Sequence, residues 1–159
     1  MTEPDWSRWT PTERGSLCFI IKDGRILLIH KKRGLGAGKT NGPGGRLEPG
    51  EEALEAARRE TKEEIGLDPT GVAQAGELFF QFADGYALHC AVFTAQGAEG
   101  ELIETDEADP FWVELSAIPY ADMWADDKLW IPWMLAGRRF RGYFCFDGER
   151  MACGRVEPW

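Results

Sequence analysis

The chain has 159 residues, of which 43% are hydrophobic and 28% charged, a composition typical of one globular domain rather than of a disordered or fibrous protein. Eighteen Lys and Arg residues against 27 Asp and Glu give a net charge of −9, which argues against a surface that binds long nucleic acid through many phosphates. No run approaches the roughly 18 apolar residues of a membrane span, and the start lacks a secretory signal, so we expect no membrane association.

Residues 1–15 show no periodicity, and we expect them to form an N-terminal arm before a single domain over 16–159. The elements predicted next, in chain order, are a strand from Ser16, a hairpin turn at Asp23-Gly24, a strand from Arg25, a glycine-rich loop over 34–45 and a helix over about 51–65 that ends at Gly66.

Short apolar runs between turn residues predict a strand-rich second half with one short helix. The strands are predicted over 76–82, 86–95, 111–115, 140–146 and 150–156, and the helix over about 126–138. Pro132 falls inside this helix and implies a kink or an early end. Many strands with few helices between them predict an α/β (α+β) fold in which a mixed sheet is flanked by helices.

The four cysteines are Cys18, Cys90, Cys145 and Cys153, and no two have the spacing of a metal or redox pair. All four lie among strand-forming residues. We therefore predict reduced core thiols in a cytoplasmic protein, with a disulfide as the less favoured alternative.

The predicted helix over 51–65 carries a cluster of acidic residues. Residues three and four apart share a helix face, so Glu60, Glu63 and Glu64 project from one side. Arg59 can pair with Glu63, whereas Glu60 and Glu64 have no cation at that spacing. Hard oxygen ligands suit Mg²⁺, which takes few carboxylates together with water and phosphate oxygens. A solvated acidic helix is the alternative, and the helix pattern alone favours it.

The loop before the helix changes this balance. Gly42, Gly44, Gly45 and Gly50 predict a backbone-exposed turn at a helix N-terminus, where N–H and C=O groups face phosphates or metals. A P-loop is excluded, because its spacing requires four residues where the chain has three, between Gly34 and Gly38.

The spacing Gly-x5-Glu-x7-Arg-Glu-U-x-Glu-Glu-x-Gly-U, in which U is a bulky apolar residue, resembles the signature of the Nudix hydrolases. The matching residues are Gly45, Glu51, Arg59, Glu60, Glu63, Glu64, Gly66 and Leu67. Thr61 departs from the pattern at the first apolar position. Further blocks over 31–45, 122–130 and 140–148 resemble the branch of this family that acts on oxidised purine nucleoside triphosphates.

This resemblance implies a Nudix-type α/β/α sandwich and a Mg²⁺-dependent enzyme, with Mn²⁺ as a substitute for Mg²⁺. The implied reaction converts a nucleoside triphosphate to a monophosphate and pyrophosphate. The implied metal ligands are the Gly44 carbonyl and the carboxylates of Glu60, Glu63, Glu64 and Glu107. Glu60 or Glu64 is the implied catalytic base, a choice that the sequence leaves open, and Arg59 is implied to orient the glutamates.

The same resemblance implies a base pocket formed by Ser16, Lys31, Asn41, Phe80, Trp124, Asp126 and Asp127. Flat aromatic rings suit a purine. Burial and mutual repulsion of two adjacent aspartates would keep one protonated, so that one donates and the other accepts a hydrogen bond. Helix N-capping by these aspartates is the alternative reading.

The expected substrates are modified purine nucleotides of the 8-oxo-dGTP and 2-hydroxy-dATP type, and the expected partner is this small molecule alone, bound by a monomer. Two alternatives stay open. One is a Nudix hydrolase of a nucleotide sugar or a dinucleoside polyphosphate, and the other is a non-catalytic nucleotide sensor.

Overall fold

Eleven strands and two α-helices make up the computed structural model, which describes residues 1–159. In chain order they are β1 (Glu13–Lys22), β2 (Arg25–Lys31), β3 (Thr40–Asn41), β4 (Gly44–Arg46), α1 (Ala53–Ile65), β5 (Leu67–Thr70), β6 (Ala73–Phe82), β7 (Ala87–Ala95), β8 (Gly97–Gly100), β9 (Ala108–Glu114), α2 (Asp127–Leu135), β10 (Phe140–Asp147) and β11 (Arg150–Pro158). Neither helix has the length and apolarity that crossing a bilayer requires.

Nine of the strands form one mixed sheet, as the sequence predicts. Its main order is β11-β10-β6-β7-β1-β2-β3, with β4 paired to β1 and β9 paired to β2. The β1–β7 and β6–β10 pairs are parallel and the others are antiparallel. The small antiparallel sheet of β5 and β8 was not predicted, because Gly, Pro and Asp dominate these two short segments.

The two faces of the large sheet carry separate apolar cores, one under each helix. Successive residues of a strand point to opposite faces. Phe19 of β1 therefore packs with Trp130 of α2, at 5.7 Å between ring centres, while Ile20 packs in the other core with Ile65 of α1. The prediction of helices flanking a mixed sheet is confirmed.

Helix α1 ends where the sequence predicts. Gly66 has φ +81°, and its N–H donates to the Lys62 carbonyl. A Cβ at Gly66 would lie 2.3 Å from the Glu101 carbonyl oxygen, so only glycine fits. Thr61, the departure from the family pattern, is fully buried, and its hydroxyl donates to the Ala57 carbonyl at 2.7 Å. The helix thus accepts a polar residue at an apolar position because its hydroxyl is satisfied locally.

The N-terminal residues are ordered against the sheet. Trp9 packs on Phe79, at 5.7 Å between ring centres, and its indole N–H donates to Gln81 at 2.8 Å. Trp6 packs on Tyr143 at 5.3 Å. Because β1 begins at Glu13, three residues of the predicted arm belong to the sheet.

The prediction of four reduced core thiols is wrong for one pair. Cys145 and Cys153 lie opposite each other on β10 and β11, with Cα atoms 4.8 Å apart, and form a disulfide. A cross-strand pair brings two residues together although eight positions separate them in the sequence, a proximity that no Cys spacing motif indicates. Cys18 and Cys90 are free and buried, as predicted.

We expect the purified, air-exposed protein to contain two free thiols rather than four. Alkylation after unfolding without reductant, followed by intact-mass measurement, should label Cys18 and Cys90 only. Labelling of all four cysteines in the unreduced sample would contradict the disulfide.

Candidate active site

The glycine-rich strand β4 lies close enough to α1 for a helix carboxylate to touch its backbone. Gly44 and Gly45 of β4 pair with Leu17 and Ser16 of β1. A Cβ at Gly44 would lie 2.0 Å from the Ser16 carbonyl oxygen, and a Cβ at Gly45 would lie 2.5 Å from the Glu60 carboxyl carbon. Gly44 is therefore required for close pairing of β4 with β1, and Gly45 is required for the Glu60 carboxylate to reach this strand.

Three carboxylates meet beside this strand. Oxygen atoms of Glu60, Glu64 and Glu107 all lie within 4.8 Å of one another. The Thr105 hydroxyl donates to the Glu64 carbonyl at 2.7 Å and accepts from the Glu107 N–H at 3.2 Å. Thr105 thus fixes the loop that carries Glu107 against α1, a role that sequence reasoning missed because a single Thr in a loop gives no signal.

Arg59 forms a network that holds the acidic side chains of the helix. It donates to both oxygens of Glu51 at 2.8 and 2.9 Å, to Glu60 at 2.9 Å and to the Arg46 carbonyl at 3.1 Å. Hydrogen bonding to Arg59 lowers the pKa of Glu51 to about 2. The sequence indicated Glu51 only as a matching position, and the structure shows it as the partner that anchors Arg59.

Glu63 lies outside the group of three carboxylates. Its side chain is 54% exposed and accepts from Arg59 at 3.2 Å. Its predicted role as a metal ligand stays a prediction.

Burial raises the pKa values of two of the three clustered carboxylates. Glu64 is only 6% exposed, and burial raises its pKa to about 8, with the charges of Glu60 and Glu107 adding to the shift. Burial also raises the pKa of Glu60. Crowded hard oxygens that are costly to ionise together fit a divalent cation, which would replace the protons.

The three carboxylates line a cavity of about 580 Å³. Every predicted base-pocket residue lines the same cavity: Ser16, Lys31, Asn41, Phe80, Trp124, Asp126 and Asp127. Gly44 lines it as well, whereas Arg59 and Glu63 do not. The Lys31 charge opposes the rise in the pKa of Glu64, which places this lysine near the carboxylates.

Aromatic rings form one wall of the cavity. Phe80 stacks on Phe144 at 5.7 Å between ring centres. Trp124 meets Phe146 edge to face at 5.2 Å and Phe82 at 6.1 Å. Phe82 was not singled out from the sequence, because a Phe-rich strand indicates sheet core as readily as a binding wall.

The two adjacent aspartates are buried at the start of α2. One oxygen of Asp126 accepts from the Trp130 indole N–H at 2.8 Å, and Asp126 makes no side-chain capping bond, so the N-capping alternative is wrong for this residue. The other oxygen of Asp126, one oxygen of Asp127 and the Ser16 hydroxyl are buried without a hydrogen-bond partner. Because buried polar atoms are nearly always satisfied, these three atoms indicate a polar ligand.

Burial also governs the ionisation of this pair. It raises the pKa of Asp126 to about 6 and, together with the charge of Asp126, raises the pKa of Asp127 further above its usual value. Asn41 is held nearby by the Gly42 N–H, which donates to its side-chain oxygen at 2.8 Å. Its side-chain NH₂ then remains available as a donor.

Comparisons with known proteins agree with this geometry. The NUDIX domain matches residues 11–134. The chain is 45% identical over 135 residues to the oxidized purine nucleoside triphosphate hydrolase of Danio rerio, covering 84% of this chain and 86% of that protein. It is 37% identical to the protein of the same name from Mus musculus, with the same coverage of 84% and 86%.

A solved structure extends the similarity to three dimensions. The crystal structure of a mutator MutT protein from Bacillus halodurans matches with a TM-score of 0.81 at 26% identity, covering 92% of this chain and 99% of that chain. The chain therefore belongs to the Nudix family, and it is a Nudix hydrolase with the α+β fold of that family.

Metal-free protein should lose stability as the pH rises from about 5 to 8. A folded-state pKa of about 8 for Glu64 means that the folded protein binds more protons than the unfolded chain over this window. Glu64 alone should therefore lower the free energy of unfolding by at most about 1.4 kcal/mol per pH unit, and the raised pKa values of Glu60, Asp126 and Asp127 add to this fall. Chemical denaturation in EDTA at several pH values measures this slope.

Divalent cations should remove most of this loss, because they compete with protons for the carboxylates. The gain in melting temperature from Mg²⁺ should be larger at pH 8 than at pH 6. Glu64→Gln is the control and should make the pH slope in EDTA shallower, leaving the part that Asp126 and Asp127 contribute. An equal metal effect at both pH values would contradict cation binding at the cluster.

Proposed function

We propose that this protein is a Mg²⁺-dependent pyrophosphohydrolase of oxidised or modified purine nucleoside triphosphates, which removes such nucleotides from the cellular pool. One observation carries the proposal: a single cavity is lined both by three clustered carboxylates and by two buried aspartates and several aromatic rings. The names of the zebrafish and mouse relatives support this substrate class.

At the phosphate end, Glu60, Glu64 and Glu107 would hold the metal, with the Gly44 carbonyl and Glu63 as further ligands. A divalent cation there supplies the positive charge that a protein of net charge −9 needs to hold a triphosphate and to stabilise the leaving pyrophosphate. Arg59 keeps Glu60 aimed at the cluster through a 2.9 Å hydrogen bond. Glu60 and Glu64 are both retained as acceptors of the proton that the attacking water loses.

At the base end, Asp126 and Asp127 read the edge of the purine. Their raised pKa values favour a state in which one carboxyl group donates and the other accepts. A pair that shares protons in this way suits an altered purine, in which oxidation exchanges donors and acceptors on the base edge. Asn41 and Ser16 add hydrogen bonds, and Phe80 and Trp124 offer apolar surface to the ring.

Several predictions from the sequence belong to this proposal as well: Mn²⁺ in place of Mg²⁺, a monomeric state and a cytoplasmic location. The predicted division into an arm over 1–15 and a domain over 16–159 is proposed with its boundary moved to the start of β1 at Glu13. A nucleotide sugar or dinucleoside polyphosphate is the alternative substrate, and the buried aspartate pair favours the purine triphosphate over it. A non-catalytic sensor is disfavoured, because every glutamate of the family signature is present.

A substrate panel with Mg²⁺ tests the proposed function. We expect pyrophosphate and monophosphate from 8-oxo-dGTP and 2-hydroxy-dATP, with kcat/KM well above that for dGTP. Glu64→Gln should reduce turnover by about 10²- to 10⁴-fold without unfolding the protein, because it removes a metal ligand or the base. No pyrophosphate from any purine triphosphate, or preferred cleavage of ADP-ribose, would contradict the proposal.

Asp127→Ala should reduce kcat/KM for modified purines by about 10²-fold, because it removes the carboxyl group that is proposed to donate a hydrogen bond to the base. For the unaltered protein, KM should increase as the pH rises through the raised pKa of Asp127, since the donor is lost when it ionises. Steady-state kinetics across pH measures both effects. Unchanged selectivity in the variant would exclude the aspartate pair as the reader of the base.

A further inference from the structure

The loop over residues 32–39, between β2 and β3, has no part in the function proposed above, yet it lies against the base pocket. Its backbone is closed by four hydrogen bonds of 2.8–3.1 Å: Lys31 N–H to Lys39, Gly38 N–H to Lys31, Ala37 N–H to Gly34 and Lys39 N–H to Gly36. A loop bonded to itself in this way has a defined shape, so what it contacts is held at a fixed distance.

Three glycines give the loop this shape, but they differ in their surroundings. Gly34, Gly36 and Gly38 have φ values of +81°, +81° and +87°, a region that disfavours any side chain. A Cβ at Gly38 would meet nothing within 4 Å. A Cβ at Gly36 would lie 2.6 Å from Nε1 of Trp124 and 3.5 Å from its Cε2.

Position 36 therefore requires glycine for two reasons, its backbone conformation and its contact with Trp124. Position 38 requires glycine for its backbone conformation alone. The contact matters because neighbouring side chains restrict how far the Trp124 ring can move away from it. Its ring meets Phe146 at 5.2 Å and Phe82 at 6.1 Å. Phe146 is buried in the core, and Phe82 is partly buried against that core. Densely packed interiors transmit such displacements rather than absorb them.

A second contact fastens the loop over the same ring. The Lys39 ammonium lies 5.3 Å from the centre of the Trp124 ring, within the range of a cation–π interaction. It also lies 3.5 Å from a carboxylate oxygen of Glu149, in the turn between β10 and β11. Lys39 thus bridges the loop, the indole and the neighbouring hairpin.

We propose that Gly36 is a specificity-determining position, because the contact between its bare backbone and the edge of Trp124 sets the width of the slot that receives the purine. This inference rests on the proposed function, since it concerns the substrate of the same site. Lys39 is a positioning residue that holds the loop and the indole together.

Base binding and metal binding should respond separately to a change at Gly36. The carboxylate cluster comes from α1 and from the loop before β9, so a shifted Trp124 leaves it in place. The loop meets the segment that carries Glu107 through its first two residues. The Lys32 N–H donates to the Glu107 carbonyl at 3.0 Å, and Arg33 forms an ion pair with the Glu107 carboxylate at 2.8 Å, three residues before Gly36. A change at Gly36 should therefore alter affinity for the base and leave affinity for the cation.

Gly36→Ala and Gly38→Ala form a matched pair, since both place a Cβ at positive φ in the same loop but only one meets Trp124. The probe is 8-oxo-dGMP in EDTA, measured by calorimetry, so that neither metal nor turnover contributes. We expect Gly36→Ala to weaken binding at least about tenfold relative to Gly38→Ala. The increase in melting temperature with Mg²⁺ should be equal in the two variants. Lys39→Met should weaken binding by about two- to fivefold, the size of an exposed cation–π contact.

A double-mutant cycle keeps the test decisive if Gly36→Ala is poorly folded. Trp124→Phe removes the indole nitrogen that the new methyl group would strike. Adding Gly36→Ala to Trp124→Phe should then weaken 8-oxo-dGMP binding by less than threefold beyond Trp124→Phe alone.

Equal binding by Gly36→Ala and Gly38→Ala, or additive losses in the cycle, would overturn the inference while leaving the proposed function intact. A wild-type protein that hydrolyses no modified purine triphosphate and does not bind 8-oxo-dGMP would overturn the proposed function and this inference together.

Discussion

Three carboxylates within 4.8 Å of one another, one of them almost wholly buried, are the constraint on which the site depends. Burial, together with the charges of Glu60 and Glu107, raises the pKa of Glu64, and a divalent cation beside these oxygens would offset the cost of ionising it. The fold maintains the arrangement because α1 and the loop carrying Glu107 are fixed by the core and by Thr105. The crowding of carboxylates that destabilises the metal-free protein also makes the site suitable for a divalent ion.

The backbone of β4 and the guanidinium of Arg59 make this crowding possible. Gly44 lets β4 pair closely with β1, and Gly45 leaves no side chain between the strand and the helix, so the Glu60 carboxylate lies against the strand. Arg59 spreads one positive charge over Glu51, Glu60 and Glu63, which restrains the helix face without neutralising the cluster. The aspartate pair lines the same cavity, and burial there raises the pKa values of both carboxyl groups, which in the proposed function lets one of them donate a hydrogen bond to the base.

The sequence predicted those parts of the protein that local chemistry determines. Turn residues located the hairpin at Asp23-Gly24 and the end of α1 at Gly66, and helix periodicity placed Glu60 and Glu64 on one face. The family resemblance supplied the base-pocket residues, all of which line one cavity. What could not be predicted depends on tertiary proximity: the Cys145–Cys153 disulfide, the small β5–β8 sheet, the anchoring role of Thr105 and the contact of Gly36 with Trp124. In each case the partners are remote in sequence or carry no motif.

A crystal structure of the protein with Mn²⁺ and a non-hydrolysable purine triphosphate would show whether the three carboxylates bind a metal beside the phosphates, because anomalous scattering identifies the ion. We expect manganese bound by oxygens of Glu60, Glu64 and Glu107 and by the phosphate chain, with the base between Trp124 and the aspartate pair. Manganese absent from those glutamates at full nucleotide occupancy, with the phosphates bound elsewhere, would contradict it.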